Sequence, residues 1–148
     1  MKRILVINGP NLNMLGVREV DTYGKRDLNW VNQKMSELAA TLGITLDFFQ
    51  SNSEGEIITK IQEGMNYDGI IINPGGFSHT SVAILDAIRS IDKPVIEVHL
   101  TNIFAREDFR NTVITGRGAK GIITGLGYIS YLSALYSFYL LFKEEEYA

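Results

Sequence analysis

Short apolar runs alternate with amphipathic stretches along the whole chain. The runs lie at 2–8, 44–50, 68–73, 95–99 and 121–124 and predict strands. The first is a continuous β-branched run, which is typical of a strand buried on both faces. In the amphipathic stretches apolar residues recur three and four positions apart, which predicts helices over 27–42, 53–65, 82–88 and 128–143. A capping box from Ser53 to Glu56 is expected to open the second helix.

This alternation predicts an α/β protein of the flavodoxin-like class. Strands joined through helices run parallel, so we expect a three-layer sandwich built around a five-stranded parallel sheet. The strand order 2-1-3-4-5 is the natural choice for five such units, and it brings the loops after strands 1, 3 and 4 to one edge. Because the chain shows neither a repeat nor a linker, we expect residues 1–148 to form a single domain.

The loop at 73–81 lies between a predicted buried strand and a predicted helix. A proline and two glycines favour a tight exit from the strand, and Ser78, Thr80 and Ser81 are candidate caps of the helix. The open N–H groups at a helix N-terminus favour a polar or negatively charged ligand. The loop also carries His79, one of two histidines in the chain. We therefore expect a ligand to bind here.

Composition narrows the possible functions. The net charge of −3 and the lack of a long basic run give no electrostatic footprint for nucleic acid or an anionic membrane. The absence of cysteine excludes disulfides, thiolate metal sites and cysteine nucleophiles. The most apolar stretch, 128–142, is about fifteen residues long, shorter than the roughly 20 needed to span a bilayer. The N-terminal apolar run is too short for a signal peptide. These features predict a soluble, cytoplasmic protein.

A long loop, about 9–26, separates the first strand from the first helix. Loops of this length are usually functional or solvated, and this one lacks the pattern of a phosphate-binding loop. It contains Arg18 and Tyr23, and a guanidinium stabilises a phenolate. Lowering the pKa of a tyrosine from about 10 to about 7 needs roughly 4 kcal/mol, more than one exposed arginine supplies. Tyr23 therefore acts as a base only if the loop closes and excludes water.

The fourth predicted strand ends in Glu97 and His99. Residues two apart on a strand share a face, so the carboxylate can bond one ring nitrogen and leave the other as an acid or base. A histidine that is only a satisfied polar residue is the alternative. A metal site is the rival, but two histidines without a third ligand in a suitable pattern disfavour it.

Two further stretches have both structural and functional interpretations. Arg106 and Arg110 are four apart, so they either form a carboxylate clamp on one helical face or pair with neighbouring acids in a solvated turn. The aromatic C-terminal helix is expected to supply core on one side and a subunit contact on the other.

Six segments in the same order resemble the type II 3-dehydroquinases, which are small flavodoxin-like dehydratases. They are INGPNLNMLG at 7–16, RE and YG at 18–24, QSNSEGE at 50–56, NPGGFSHTSVA at 73–83, EVHLTN at 97–102 and AREDFR at 105–110. The resemblance runs nearly end to end. Val20 stands where the family usually has a proline, and Phe104 stands where a histidine is usual. The segments 77–78 and 115–118 are also variants of the family pattern, but neither displaces a residue to which the resemblance assigns chemistry.

The resemblance implies that water is lost from 3-dehydroquinate to give 3-dehydroshikimate through an enolate, with no metal, cofactor or Schiff base. It assigns Tyr23 as the base, activated by Arg18 in a closing lid. Asn11 holds a water that stabilises the enolate oxygen. His99, oriented by Glu97, protonates the leaving hydroxyl.

The resemblance also assigns substrate contacts. Asn73 and His79 contact the ring hydroxyls, and Arg110 adds a polar contact. The backbone N–H groups of Leu100 and Thr101 bind the substrate carboxylate.

Assembly and pathway follow from the same resemblance. Family members are homododecamers made from trimers, in which an acidic residue matching Asp86 reaches a neighbouring subunit's site. Their reaction belongs to the shikimate pathway of aromatic amino-acid biosynthesis. The rival class is a flavodoxin-like binding module without catalysis. It fits poorly, because Asn8 and Asn73 stand where a phosphate receiver needs carboxylates.

Overall fold

Five parallel strands form the centre of the structure, a computed structural model that describes residues 1–17 and 26–147. The strands are β1 (Lys2–Asn8), β2 (Ile44–Gln50), β3 (Gly69–Asn73), β4 (Val95–His99) and β5 (Gly121–Thr124). They pair in the order β2-β1-β3-β4-β5, and every pair is parallel. The predicted sheet and its strand order are therefore confirmed.

In the part of the chain that the structure describes, four α-helices cover the two faces of this sheet. They are α1 (Leu28–Leu42), α2 (Glu54–Glu63), α3 (Val82–Ser90) and α4 (Ile129–Tyr147). Successive side chains of a strand point to opposite faces, so Ile4 and Val6 of β1 pack with α1 and α4, whereas Leu5 and Ile7 pack with α2 and α3. This division gives the predicted three layers. Within the described ranges, none of the helices is long and apolar enough to cross a membrane.

Three helices begin at side-chain caps present in the sequence, with a correction at the predicted capping box. Asp27, Ser53 and Ser81 each accept a hydrogen bond from a backbone N–H of the first turn, at 2.8, 3.2 and 2.9 Å. The predicted capping box is only half formed. The Glu56 carboxylate accepts from the Ser51 hydroxyl, and that hydroxyl in turn accepts the Ser53 N–H at 2.9 Å. Ser51 has therefore replaced the return bond of the box.

The last helix is longer than its apolar pattern predicts. It runs to Tyr147 rather than to about residue 143, through glutamates that are exposed to solvent. Glutamate is a good helix former, and Lys143 pairs with Glu146 across one turn at 3.8 Å. Apolar periodicity does not report this solvated end.

The carboxyl ends of β1 and β3 place their loops in direct contact. Asn8 and Asn73 are register partners at the last position of both strands. The Gly9 N–H then donates to the Asn73 carbonyl at 2.8 Å. A Cβ atom on Gly9 would lie 2.6 Å from the Pro74 carbonyl oxygen, so only glycine permits this approach. The two loops start from one fixed point at the edge of the sheet.

Candidate active site

Glu97 and His99 form a buried pair at the end of β4. They lie two residues apart on one strand and therefore share a face. The His99 Nε2–H donates to Glu97 Oε2 at 2.7 Å. Glu97 has no exposed surface and His99 is only 5% exposed. The predicted pairing is confirmed, and it leaves Nδ1 of His99 as the ring atom that can take or give a proton.

Two hydroxyl groups complete the surroundings of the Glu97 carboxylate. Ser78 donates to Oε2 at 2.7 Å, and Thr115 donates to Oε1. Among the residues that the structure describes, no lysine or arginine forms an ion pair with this carboxylate. Its negative charge is therefore stabilised by neutral donors and by the imidazole.

No local sequence pattern marks either hydroxyl as a partner of Glu97. Ser78 was a candidate helix cap, but Ser81 alone caps α3 and Ser78 is turned into the core. Thr80 also makes no cap bond, because the Ser81 hydroxyl occupies that position. Thr115 lies in a glycine-rich stretch 18 residues from Glu97.

His79 lies beside His99 and is held by a hydrogen bond to a backbone carbonyl. The two rings are nearly parallel, with centroids 6.2 Å apart and an interplanar angle of 25°. Nδ1 of His79 lies 2.8 Å from the Thr112 carbonyl, which only accepts, so Nδ1 carries the proton. In the neutral ring Nε2 is then an acceptor. The predicted gathering of the loops after β3 and β4 is confirmed by this contact.

Asn73 is held by a buried chain of three side chains. Its Nδ2 donates to the Tyr131 hydroxyl at 2.9 Å, and that hydroxyl donates to Asn8 Oδ1 at 2.6 Å. Its Oδ1 accepts the Gly75 N–H at 3.0 Å. These bonds fix the orientation of the Asn73 amide, with Nδ2 toward Tyr131 and Oδ1 toward Gly75. Tyr131 belongs to the aromatic C-terminal helix that is expected to supply core, and it is buried as expected. Its polar contact with the site is not indicated by the sequence.

The loop after β1 is anchored by polar side chains at the end of β2. Asn11 has a left-handed backbone, with φ of 71°, and its N–H donates to Asn52 Oδ1 at 3.0 Å. Nε2 of Gln50 donates to the Gly9 carbonyl at 3.2 Å and to the same Asn52 oxygen at 3.3 Å. The Asn11 side chain is exposed at the sheet edge. Gln50 and Asn52 are supporting residues that were not singled out from the sequence.

Residues 18–25 of that loop lie outside the described residues. They include the predicted base Tyr23, its partner Arg18, and Val20. On the described side, Phe104 is exposed in a short 3₁₀ helix, Ile103–Ala105.

The backbone after β4 is pinned at successive peptides. The Leu100 carbonyl accepts from the Gly127 N–H at 2.9 Å, and the Thr101 carbonyl accepts from the Thr124 hydroxyl at 2.8 Å. In a trans peptide the N–H points opposite to the carbonyl, so the Thr101 N–H points away from Gly127. A cavity of about 310 Å³ adjoins this backbone, lined by Leu15, Arg26, Trp30, Val31, Leu100, Thr101, Gly127 and Tyr128.

The two arginines of the charged segment do not form a clamp. Arg106 follows one 3₁₀ helix and Arg110 lies in the next, Asp108–Asn111, so they share no helical face. Arg110 Nε donates to Glu107 at 2.8 Å, and this bond holds the pKa of the Glu107 carboxyl below its usual value. The charged-turn interpretation is therefore the one that the structure supports.

Two further predicted features concern binding groups. Asp86 lies exposed on the outer face of α3. Within residues 1–17 and 26–147, no group of three or more His, Cys, Asp or Glu side chains is arranged to hold a metal ion.

Residues 2–139, and thus nearly all of this fold and site, match the family model described as dehydroquinase class II. The chain belongs to the class II dehydroquinase family. A 3-dehydroquinate dehydratase of Clostridium botulinum strain Hall is 52% identical over 136 residues, which cover 91% of this chain and 92% of the relative. One from Caldicellulosiruptor saccharolyticus is 51% identical over 139 residues, covering 93% and 96%.

A solved structure shows the same class II dehydroquinase fold. The crystal structure of a type II dehydroquinase from Butyrivibrio crossotus matches with a TM-score of 0.86 and 43% identity. The alignment covers 90% of this chain and 94% of that one. The fold expected from the resemblance is therefore confirmed.

Removing the Tyr131 hydroxyl tests the buried chain in this member of the class II dehydroquinase family. Tyr131→Phe leaves Asn8 Oδ1 and Asn73 Nδ2 without their shared partner in a dry environment. We expect the free energy of unfolding at neutral pH to fall by about 1–3 kcal/mol, measured by urea denaturation. Tyr136→Phe, at an exposed position of the same helix, is the matched control and should change it by less than about 0.5 kcal/mol.

The stability difference between the parent protein and Tyr131→Phe is also expected to depend on pH. Burial raises the pKa of Tyr131 above its usual 10.0, and the Asn73 amide offsets this only in part. Above pH 10 the unfolded chain ionises Tyr131 while the folded chain does not, so its contribution to stability is complete below pH 10 and is lost as pH rises. The stability gap between the parent protein and Tyr131→Phe should narrow above pH 10. A gap that stays constant or widens contradicts the buried, neutral hydroxyl.

Proposed function

We propose that this chain is a hydro-lyase that converts 3-dehydroquinate to 3-dehydroshikimate. The observation that carries the proposal is the buried Glu97–His99 pair, with His79 beside it, at the sheet edge where α/β proteins bind ligands. Membership of the class II dehydroquinase family and the names of the relatives supply the substrate. The reaction fits the shikimate pathway of aromatic amino-acid biosynthesis.

His99 is the proposed general acid. Glu97 accepts the Nε2–H, which fixes the ring orientation and stabilises the positive charge of the imidazolium. The proton on Nδ1 then goes to the hydroxyl that leaves the substrate. A positioned acid of this kind contributes typically about 10²–10⁴-fold to a rate.

Tyr23 is the proposed base, and Arg18 the group that stabilises its phenolate. These roles come from the family resemblance at residues 18–24. Closure of the proposed lid, about 9–26, excludes water and strengthens the effect of the guanidinium on the phenolate. Asn11 is proposed to hold the water that stabilises the enolate oxygen, and the Asn52 bond to its backbone supports a fixed position for this residue.

Substrate contacts are proposed for the remaining edge residues. His79 offers Nε2 to a ring hydroxyl, because Thr112 occupies Nδ1. Asn73 contacts a second hydroxyl through the hydrogen-bonding positions of its amide that Tyr131 and Gly75 do not occupy. Three further contacts follow the resemblance: the N–H groups of Leu100 and Thr101 for the carboxylate, and Arg110 for a polar group.

The chemical steps balance with these groups. The proton beside the ketone passes to the Tyr23 phenolate, and the electron pair of the broken C–H bond forms the enolate. The enolate reforms the ketone and pushes its electron pair into a new C=C bond as the C–O bond breaks. The departing hydroxyl takes the His99 proton and leaves as water. Transfer of a proton from Tyr23 to His99 through solvent restores both residues.

A direct assay tests this function. Purified protein supplied with 3-dehydroquinate should produce a conjugated enone, seen as a rise in ultraviolet absorbance. Tyr23→Phe should lower kcat by at least about a hundredfold while substrate binding, measured by calorimetry, stays close to that of the parent. Tyr136→Phe is the control and should retain its activity.

Either of two results contradicts the assignment. A folded parent protein that does not turn over 3-dehydroquinate removes the proposed function. An active Tyr23→Phe variant removes tyrosine from the role of base and leaves the dehydratase activity intact.

We further propose that residues 1–148 act as one dehydroquinase domain in the cytoplasm and assemble as a homododecamer of four trimers. The exposed Asp86 on α3 is the residue proposed to reach the site of a neighbouring subunit. Exposed Val82 on the same helix offers apolar surface for such a contact. Sedimentation equilibrium should give about twelve times the chain mass of 16.6 kDa. A concentration-independent mass of one chain contradicts the assembly.

A further inference from the structure

The Glu97 carboxylate is enclosed by hydroxyl groups that have no part in the steps above. We propose that Ser78 and Thr115 are positioning residues of the dehydration, which act on His99 through Glu97. This inference rests on the proposed function, since the role it assigns is a role in that reaction. Neither hydroxyl is assigned to touch the substrate.

The geometry accounts for both carboxylate oxygens. Oε2 of Glu97 accepts from Ser78 at 2.7 Å and from His99 Nε2 at 2.7 Å, and Oε1 accepts from Thr115. The two hydroxyl oxygens lie 3.4 Å apart, and the Ser78 oxygen lies 3.4 Å from His99 Nε2. With donors on both oxygens, the carboxylate cannot rotate without breaking a bond, so the imidazole it holds keeps one orientation.

The hydroxyls also take the place of the water that an exposed carboxylate would bind. Glu97 has no exposed surface, and a buried polar group needs hydrogen-bond partners in place of water. Without one of the two hydroxyls, the carboxylate loses a donor and can turn toward the donors that remain. The imidazole of His99 then loses its defined orientation.

A backbone hydrogen bond brings the segments that carry Ser78 and Thr115 together. Ser78 lies in the 3₁₀ helix Gly75–His79, and its carbonyl accepts the Ile114 N–H at 2.7 Å. The segment that begins at Thr112 therefore packs on the loop after β3. It supplies the Thr112 carbonyl to His79 and the Thr115 hydroxyl to Glu97. One segment thus supports both histidines.

Kinetics of hydroxyl-deleting variants test the proposal. Thr115→Val keeps the shape of the side chain and removes only the donor, and Ser78→Ala does the same at the second position. Each should lower kcat by at least about fivefold with KM changed by less than about twofold, because the substrate contacts remain. Thr115→Ser and Ser78→Thr restore a hydroxyl and should recover most of the lost kcat.

A double-mutant cycle separates positioning from a purely structural role. In a Glu97→Gln background the ionised acceptor is gone, so adding Thr115→Val or Ser78→Ala should lower kcat by less than about twofold further. Ser137→Ala is the matched control, because its hydroxyl bonds the Ser133 carbonyl within α4, and its kcat should equal that of the parent. Thermal unfolding of every variant shows whether it is folded.

Three outcomes overturn the inference. Unchanged kcat in folded Thr115→Val and Ser78→Ala, with an active parent, removes the role and leaves the proposed function intact. An equal loss of kcat with and without Glu97 makes the hydroxyls structural. A parent without turnover removes the function and this role together. If Thr115→Val does not fold, Ser78→Ala and its cycle decide.

Discussion

A buried carboxylate needs donors on both of its oxygens, and Glu97 obtains them from three separate parts of the chain. His99 comes from the same strand, Ser78 from the loop after β3, and Thr115 from the segment before β5. Leaving either oxygen without a donor in this buried position costs free energy, so the carboxylate holds these segments together. The candidate acid is thereby fixed by the fold and not by a mobile side chain.

A second buried network does the same on the other side of the site. Tyr131 of α4 joins Asn8 and Asn73, the last residues of β1 and β3. The strand order reverses between these two strands, which is where α/β proteins bind ligands, and the helix behind them fixes the Asn73 amide. Fully satisfied buried networks are rigid, so the groups at this edge of the sheet are arranged before a substrate arrives. In the proposed reaction this preorganisation spares the cost of arranging the groups at each turnover.

The sequence predicts those elements that depend on local patterns of residues. Apolar runs predicted the observed bounds of β1, β2, β4 and β5. The inner strands β1 and β4 are largely buried on both faces, which favours consecutive apolar residues, whereas the edge strands β2 and β5 are only partly buried. The period of two along a strand was enough to pair Glu97 with His99. Ser78, Thr115 and Tyr131 were missed because their partners lie 18 to 123 residues away, and only the tertiary fold brings them together. The predicted capping box is only half formed for a related reason, because the Ser51 hydroxyl binds the Glu56 carboxylate.

Glu97 binds His99 through Nε2, and in the proposed reaction this leaves Nδ1 to donate the proton. Nitrogen-15 labelling of histidine tests it directly, because the chain contains only two histidines and a His79→Gln variant assigns their signals. At a pH where both rings are neutral, we expect opposite tautomers, with the proton on Nε2 in His99 and on Nδ1 in His79. In Glu97→Gln, His99 should lose its fixed Nε2–H form. A parent protein in which His99 carries its proton on Nδ1, or in which Glu97→Gln leaves the His99 signals unchanged, contradicts the account.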